Sequence, residues 1–287
     1  MVIKTPPAWG WEQASEALHG LGTAPDNEYW PRSMGSAATP AIRHLRAGDL
    51  TDALRKGIGD FGAYRSDVIF LCAVYPVLGL LLARLAFGYY MLPLLFPLIS
   101  GFALVGPFAA IGLYEMSRRR ELGLSPRWSD AFGVLRSPAI VRIIALGMAL
   151  TGIFLAWLLT AQTIYDATLG PEPPRSMAGF ARDVIGTQAG WTMSLVGIGT
   201  GFLFAVAVLT ISAVAFPMLL DRNVPLETAV RTSAAVVWTN KLMMALWGLI
   251  ITAGLVLGSL PFLLGLVVVM PVLGHATWHL YRHAVGD

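Results

Sequence analysis

The sequence predicts an all-α protein, a polytopic membrane helix bundle with six transmembrane helices. Three observations lead to this prediction. The composition is 56% hydrophobic and only 13% charged, whereas a soluble domain carries about 25% charged residues. Six apolar runs are each long enough to cross the hydrocarbon core of a bilayer, which takes about 20 residues. Lys and Arg also fall almost entirely on one side of these runs, as they do in membrane proteins of defined orientation.

The apolar runs define the domain organisation. Residues 1–48 are rich in Pro, Gly, Ala and Ser and predict a flexible cytoplasmic tail, followed by a membrane domain over residues 49–287. The fourth run is long and is expected to tilt or bend at Pro217. A single cysteine, Cys72, excludes a disulfide framework and a cysteine metal site. The predicted spans lie at about 66–88, 90–116, 140–164, 191–220, 242–259 and 260–281.

The distribution of basic residues predicts the orientation. Of the 20 Lys and Arg residues, all but Arg84, Arg175 and Arg182 lie before the first span, in alternate connections or after the last span. Basic residues are enriched in cytoplasmic connections. We therefore expect a multi-pass protein of the prokaryotic inner membrane with both termini in the cytoplasm. The net charge of +3 requires no nucleic-acid partner.

The spacing of similar segments predicts a threefold internal repeat. Each hairpin of spans follows an amphipathic piece, at residues 49–61, 125–138 and 223–238, which we expect to lie as a helix at the membrane interface. The repeated unit would be an interfacial helix followed by two spans. Chance similarity between apolar runs is the alternative explanation. The second span of each unit carries a proline towards its cytoplasmic end: Pro107, Pro217 and Pro271.

Three histidines form the first candidate binding site. His275, His279 and His283 are four residues apart and therefore lie on one face of the last helix. Two imidazoles placed in this way can share a metal ion. Alternatively, they are interfacial polar residues whose positive character is favourable at a helix C-terminus.

Glu115 is the second candidate. It follows Pro107 by eight positions, as His279 follows Pro271, so the repeat would place the two side chains at the same depth. We predict a hydrogen bond between Glu115 and His279. Such a bond would serve structural pairing or, alternatively, a proton relay.

The middle of the predicted spans contains no Asp, Glu, Lys, Arg or His. Ion-coupled transporters and proton pumps usually place ionisable groups there. A transporter of an uncharged solute or lipid would instead use hydroxyls, and Thr200, Thr210 and Ser212 would line its path. The glycine pairs Gly197–Gly201 and Gly254–Gly258 have the spacing that lets helices approach closely.

Three segments carry a recognisable pattern: PLISGFALVGPFAAIGLYEMSRRRE (Pro97–Glu121), AFPMLLDRNVPLETAVRTS (Ala215–Ser233) and PFLLGLVVVMPVLGHATWHLYRH (Pro261–His283). These segments resemble a prokaryotic family of predicted integral membrane proteins classed as a domain of unknown function. Some members of this family are labelled cytochrome c oxidase proteins. The resemblance implies a multi-span membrane protein but no activity and no site residues.

The oxidase label does not fit a catalytic core, because the intramembrane histidines here lie on one helix and cannot hold a haem from both sides. We therefore expect a non-enzymatic scaffold, assembly or accessory partner of other membrane components, with no cofactor. Its partners would be the lipid bilayer and other membrane proteins, such as a respiratory complex. Two alternatives stay open: the transporter above, and metal or haem handling at the C-terminal histidines.

Overall fold

The computed structural model describes residues 40–63, 92–124, 128–260 and 264–286, and within these ranges the protein is all-helical. A 3₁₀ helix at Trp128–Arg136 accompanies the α-helices. The α-helices of the described residues are α1 (Ala47–Ala63), α2 (Leu95–Ala109), α3 (Ile111–Glu121), α4 (Ile140–Thr168), α5 (Met177–Gly186), α6 (Gln188–Ser212), α7 (Ala215–Arg222), α8 (Leu226–Thr239), α9 (Lys241–Ser259) and α10 (Leu266–Ala284).

Three stretches of the described chain are long and apolar enough to cross a membrane. They are α4, the consecutive helices α6 and α7 over Gln188–Arg222, and α9, with mean hydropathies of 2.2, 2.4 and 2.0. They correspond to the predicted third, fourth and fifth spans. The predicted first span, at 66–88, lies outside the described residues. The six-span count and the threefold repeat therefore stay predictions.

Two prolines coincide with breaks in the helices. The predicted second span is divided, since α2 ends at Ala109 and α3 begins at Ile111, shortly after Pro107. The fourth span also breaks, because α6 ends at Ser212 and α7 begins at Ala215, with Pro217 in its first turn. A proline lacks an N–H and its ring clashes with the carbonyl four residues earlier. The predicted bend in the fourth span is thus present, a few residues before Pro217.

Helix α1 confirms the helix predicted in the first amphipathic piece. Its apolar face, centred on the buried Leu50 and Ala53, packs against the C-terminal half of α10. Gly57 permits this approach, because a Cβ at this position would lie 2.7 Å from both Cβ and N of Ala276. Of the other two pieces, the last forms α8 and the middle one forms the 3₁₀ helix.

The chain before α1 is docked on the C-terminus. Ile42 and Val285 form an antiparallel bridge, and the Arg43 N–H donates to the Ala284 carbonyl at 2.9 Å. The side chain of Asn240, at the corner between α8 and α9, accepts the Leu45 N–H at 2.7 Å. These contacts hold residues 42–45, which the sequence placed in the flexible tail, against the helical domain.

The glycine pairs behave differently from each other. Gly254 and Gly258 of α9 both face α10, with Val269 Cγ1 3.2 Å from a Cβ at Gly254 and Leu266 Cδ2 3.0 Å from a Cβ at Gly258. The predicted close approach is therefore present at this pair. In the other pair, Gly201 packs against Trp157 of α4, while Gly197 faces open space.

Candidate functional site

One end of the bundle holds a set of paired polar side chains from α1, α3 and α10. The acidic residues of α1 recur at helical spacing, at Asp49, Asp52 and Asp60, so they share one face. The histidines of α10 recur in the same way. Because the two helices pack antiparallel, Asp60 meets His275 and His279, while Asp52 meets His283.

Asp60 is the centre of this set. Its Oδ2 accepts from the Ser117 hydroxyl at 2.6 Å and lies 2.9 Å from Nε2 of His279. Its Oδ1 accepts from Nη1 of Arg120 at 2.6 Å. The Asp60 side chain is 7% exposed, and these partners compensate for the burial of its carboxylate. We call Asp60, Ser117, Arg120, His275 and His279 the Asp60 cluster.

The hydrogen bonds of Ser117 determine the tautomer of His275. Ser117 has one hydroxyl proton, which it donates to Asp60, so its oxygen accepts from Nδ1–H of His275 at 2.8 Å. A neutral imidazole protonated at Nδ1 carries a bare lone pair at Nε2. This atom is buried and has no hydrogen-bond partner within the described chain. The imidazole is thus fixed in orientation through one nitrogen only.

Two carboxylates of α1, those of Asp52 and Asp60, are held ionised. Burial raises the pKa of Asp60, but hydrogen bonds from His279 and Ser117 lower it by more, so the pKa lies below its ordinary value of 3.8. Hydrogen bonds from Lys56 and His283 lower the pKa of Asp52. Nε2 of His283 lies 2.8 Å from Asp52, and Lys56 Nζ lies 2.7 Å from the same carboxylate. His283 is therefore paired rather than solvated.

Glu115 takes different partners from those that the repeat suggested. It is fully buried in α3, and its carboxylate accepts from Nε of Arg118 at 2.7 Å and from Nε of Arg119 at 2.6 Å. Arg119 also pairs with Asp130 of the 3₁₀ helix at 2.7 Å. The predicted hydrogen bond between Glu115 and His279 is wrong, because cations three and four residues along α3 reach Glu115 first.

A second group of charges ties α7 to the end of α10. The Tyr281 hydroxyl donates to Oδ2 of Asp221 at 2.6 Å and accepts from Nε of Arg222 at 2.9 Å. Arg282 lies 3.3 Å from the same Asp221 carboxylate and 3.2 Å from Glu121 of α3. The charged side chains at this end thus neutralise one another between helices.

A surface groove of about 590 Å³ opens beside the Asp60 cluster, between α1 and the end of α3. Its walls carry both signs of charge, with Arg55, Lys56 and Arg120 as the cations. A smaller cavity of about 290 Å³ lies at the opposite end, where Tyr165 of α4 faces Phe180 of α5.

The hydroxyls of the hypothetical transport path do not share a face. Successive residues of an α-helix are rotated by about 100°, so Thr200, Thr210 and Ser212 point in three directions from α6. Ser212 is buried and donates to the Val208 carbonyl at 2.7 Å. Thr210 donates to Val206 in the same way, at 2.7 Å. Two of the three hydroxyls are therefore satisfied by their own helix.

The candidate metal ligands are also engaged elsewhere. His275 uses Nδ1 towards Ser117, and His279 uses Nε2 towards Asp60. Within the described residues, no group of three or more His, Cys, Asp and Glu side chains is arranged to hold a metal ion. One nitrogen of each imidazole is therefore already committed to a protein partner.

The sequence reasoning missed Asp60, Ser117 and Arg120. A signal for Asp60 was present, because Asp49, Asp52, Lys56 and Asp60 recur every three or four residues on α1, as the histidines do on α10. Complementary stripes of this kind indicate two helices that pack side by side. Ser117 carries no such pattern, and only the docking of α3 identifies its role.

These features define a class: an integral membrane protein, embedded in the bilayer, whose helices expose apolar faces and whose charged end is closed by its own ion pairs. Residues 95–221 match the model of a family described as "Predicted integral membrane protein (DUF2189)", which has no known function. The resemblance seen in the sequence is thus confirmed over this range. The match includes Pro97–Glu121 and ends before Pro261–His283. No curated protein and no solved structure matches the chain.

Proposed function

We propose that this protein is a non-enzymatic membrane scaffold that binds other membrane proteins through the apolar faces of its spanning helices, in an assembly or accessory role. The observation that carries the proposal is an exposed apolar face, or stripe, on each candidate span, with a glycine that contacts nothing at the centre of this face on α4 and on α6. An exposed apolar face by itself is typical of a helix surface that contacts lipid. Small residues at their centres additionally suit the close approach of another helix.

The stripes follow from helical spacing. Positions three, four and seven residues apart lie on one face of a helix, and the exposed apolar side chains keep to that spacing. On α6, a Cβ at Gly199 would meet nothing within 4 Å, and on α4 the same holds for Gly152. The exposed residues are Val141, Ile144, Met148, Leu155 and Leu159 on α4, Trp191, Leu195, Val196, Ile198, Phe202, Leu203 and Val206 on α6, and Leu242, Leu246, Leu249, Val256 and Leu257 on α9.

The opposite faces of these helices pack against other parts of the same chain. On α4, Leu150 and Trp157 are buried, and Trp157 packs against Phe204 of α6 with ring centroids 5.5 Å apart. On α9, Met244 and Trp247 are buried. Each candidate span thus packs internally by one face and leaves the other available.

The charged end supports a structural rather than a catalytic role. Asp60, Glu115 and Asp221 are each held by cationic or hydroxyl partners from the same chain. Such pairing orients the ends of α1, α3, α7 and α10 relative to one another. We also propose, from the distribution of Lys and Arg, that this end lies in the cytoplasm of a prokaryotic cell.

The test is photo-crosslinking in membranes, with a photoreactive amino acid placed at Phe202 on the α6 stripe. We expect a discrete protein adduct. Gly199→Leu should remove it, because leucine fills the space that a partner helix would occupy, with little effect on stability. Gly197→Leu, the same change at a glycine that also faces open space but lies about 160° around α6 from Gly199, is the matched control and should keep the adduct.

Lipid is the competing occupant of the stripes. If photo-crosslinking at Phe202 and at Leu249 of α9 gives lipid adducts alone, the scaffold proposal fails. A protein adduct that survives Gly199→Leu would place the contact elsewhere and would contradict the role of the α6 stripe.

A further inference from the structure

The carboxylates of the groove between α1 and α3 already bind donors of the protein itself. Asp60 accepts from Ser117 and Arg120, and Asp52 binds both Lys56 and His283. Glu121, on the far wall, accepts from Nε1 of Trp278 at 3.1 Å and pairs with Arg282. Each carboxylate of the groove therefore has two or more donors from the protein itself.

Two cations of the groove, Arg55 and Lys56, are less fully used. Arg55 is exposed and forms no ion pair within the described residues. Lys56 has one carboxylate partner, and its side chain is 49% exposed. A guanidinium has five N–H donors and an ammonium has three. The groove thus has spare hydrogen-bond donors at Arg55 and Lys56.

The unused donors indicate which kind of ligand the groove can bind. A phosphate group offers several acceptor oxygens and negative charge, and Arg and Lys bind it by charge-assisted hydrogen bonds. Arg120, whose side chain is 39% exposed, lies on the opposite wall from Arg55 and Lys56. A phosphate between these walls would be reached from both α1 and α3.

The position of the groove indicates where the phosphate comes from. It opens at the ends of α3 and α10, where the predicted topology places the membrane surface. Ile58 is 58% exposed one helical turn after Arg55, which gives α1 an apolar side chain beside its basic ones. We propose that the groove binds the phosphate of an anionic phospholipid headgroup. This binding uses a different surface from the scaffold contacts and is independent of them.

The test uses the full-length protein purified in detergent, titrated by calorimetry with dioctanoyl phosphatidylglycerol, dioctanoyl phosphatidylcholine or inorganic phosphate. We expect the phosphatidylglycerol to bind at least tenfold more tightly than the phosphatidylcholine. Arg55→Gln combined with Lys56→Gln should weaken phosphatidylglycerol about 10- to 30-fold, since a basic residue near an anionic surface contributes about fivefold. Arg55→Lys, which keeps the charge, should retain most of the binding.

The matched control is Arg231→Gln combined with Lys241→Gln, which removes the same charge at the same predicted membrane face but outside the groove. This control should bind phosphatidylglycerol as the unaltered protein does. Equal weakening by the two double variants would reveal diffuse charge attraction and overturn the site. Inorganic phosphate bound through Arg55 and Lys56, with no preference between the lipids, would assign the groove to a soluble phosphate and overturn the lipid source. Absence of binding by any of the three compounds would refute both.

Discussion

A single carboxylate, Asp60, links three helices at the charged end of the protein. It lies on α1, binds Ser117 and Arg120 of α3, and binds His279 of α10. A buried carboxylate without such partners would be strongly destabilising. The docking of these helices therefore keeps Asp60 ionised, and the ionised carboxylate in turn helps to hold the helices together.

The lowered pKa of Asp60 predicts how stability depends on pH. Because the pKa is lower in the folded protein than the ordinary 3.8, folding favours the ionised carboxylate. This contribution is fully present above the unfolded-state pKa and is lost as the pH falls through the folded-state pKa. Asp60→Asn should therefore lower the free energy of unfolding by about 1–3 kcal/mol at neutral pH, and by less as the pH falls below about 4.

Thermal unfolding in detergent between pH 3 and pH 7 measures this difference. Asp166→Asn, which changes an exposed carboxylate at the end of α4, is the control and should have little effect. An Asp60→Asn variant as stable as the unaltered protein at pH 7 would show that the Asp60 cluster does not hold the helices together.

Sequence spacing identified part of this cluster. His275 and His279 lie on the predicted face of the last helix, because a spacing of four residues fixes the face of an α-helix. The partners could not be predicted in the same way. Asp60 is 219 residues from His279 along the chain, and its role depends on how α1 docks. Glu115 was misassigned because arginines of its own helix bind its carboxylate.

At the scale of elements, the pairing of α1 with α10 depends on one glycine. A Cβ at Gly57 would lie 2.7 Å from the backbone N of Ala276 and 2.8 Å from the Val272 carbonyl, and neither backbone atom can move without shifting α10. Gly59, two residues further along α1, faces open space. The two glycines therefore differ only in what they contact.

This difference predicts opposite effects of the same substitution. Gly57→Ala should lower the free energy of unfolding by about 1–3 kcal/mol, because overpacking separates α1 from α10. Gly59→Ala should be neutral or stabilise by up to about 1 kcal/mol, since alanine is the better helix former. Thermal unfolding of both variants in the same detergent provides the measurement. Destabilisation by Gly59→Ala equal to that by Gly57→Ala would contradict the packing described.

The positions of the candidate spanning helices were predicted well, because their apolar composition determines them. The apolar runs at 140–164, 191–220 and 242–259 correspond to α4, to α6 with α7, and to α9, because a run of apolar residues is helical wherever it meets lipid. The amphipathic piece at 49–61 was predicted as a helix, but its apolar face packs on α10. Hydrophobic periodicity identifies such a face but does not say whether protein or lipid covers it.

At the scale of the whole molecule, the predicted cytoplasmic connections meet at one end. Arg142, at the start of α4, donates to the side chain of Asn223, which follows α7. Arg222 donates to the Gly286 carbonyl at 2.6 Å, and Arg282 reaches Glu121 of α3. Connections that basic residues assigned to one face of the membrane are therefore in direct contact. The number of crossings rests on the sequence, because the predicted first span lies outside the described residues and the predicted second and sixth spans are not among the three stretches that are long and apolar enough to cross.

The central claim is that the charged end faces the cytoplasm while the connection between α4 and α6 faces the opposite side. Labelling of intact cells with a membrane-impermeant maleimide tests it most directly, using Thr51→Cys, Thr239→Cys and Arg182→Cys, each in a Cys72→Ser background. We predict that only the Arg182→Cys variant is labelled in intact cells, and that the other two react after permeabilisation. Labelling of the Thr51→Cys and Thr239→Cys variants from opposite faces, or of all three from the same face, would contradict the account.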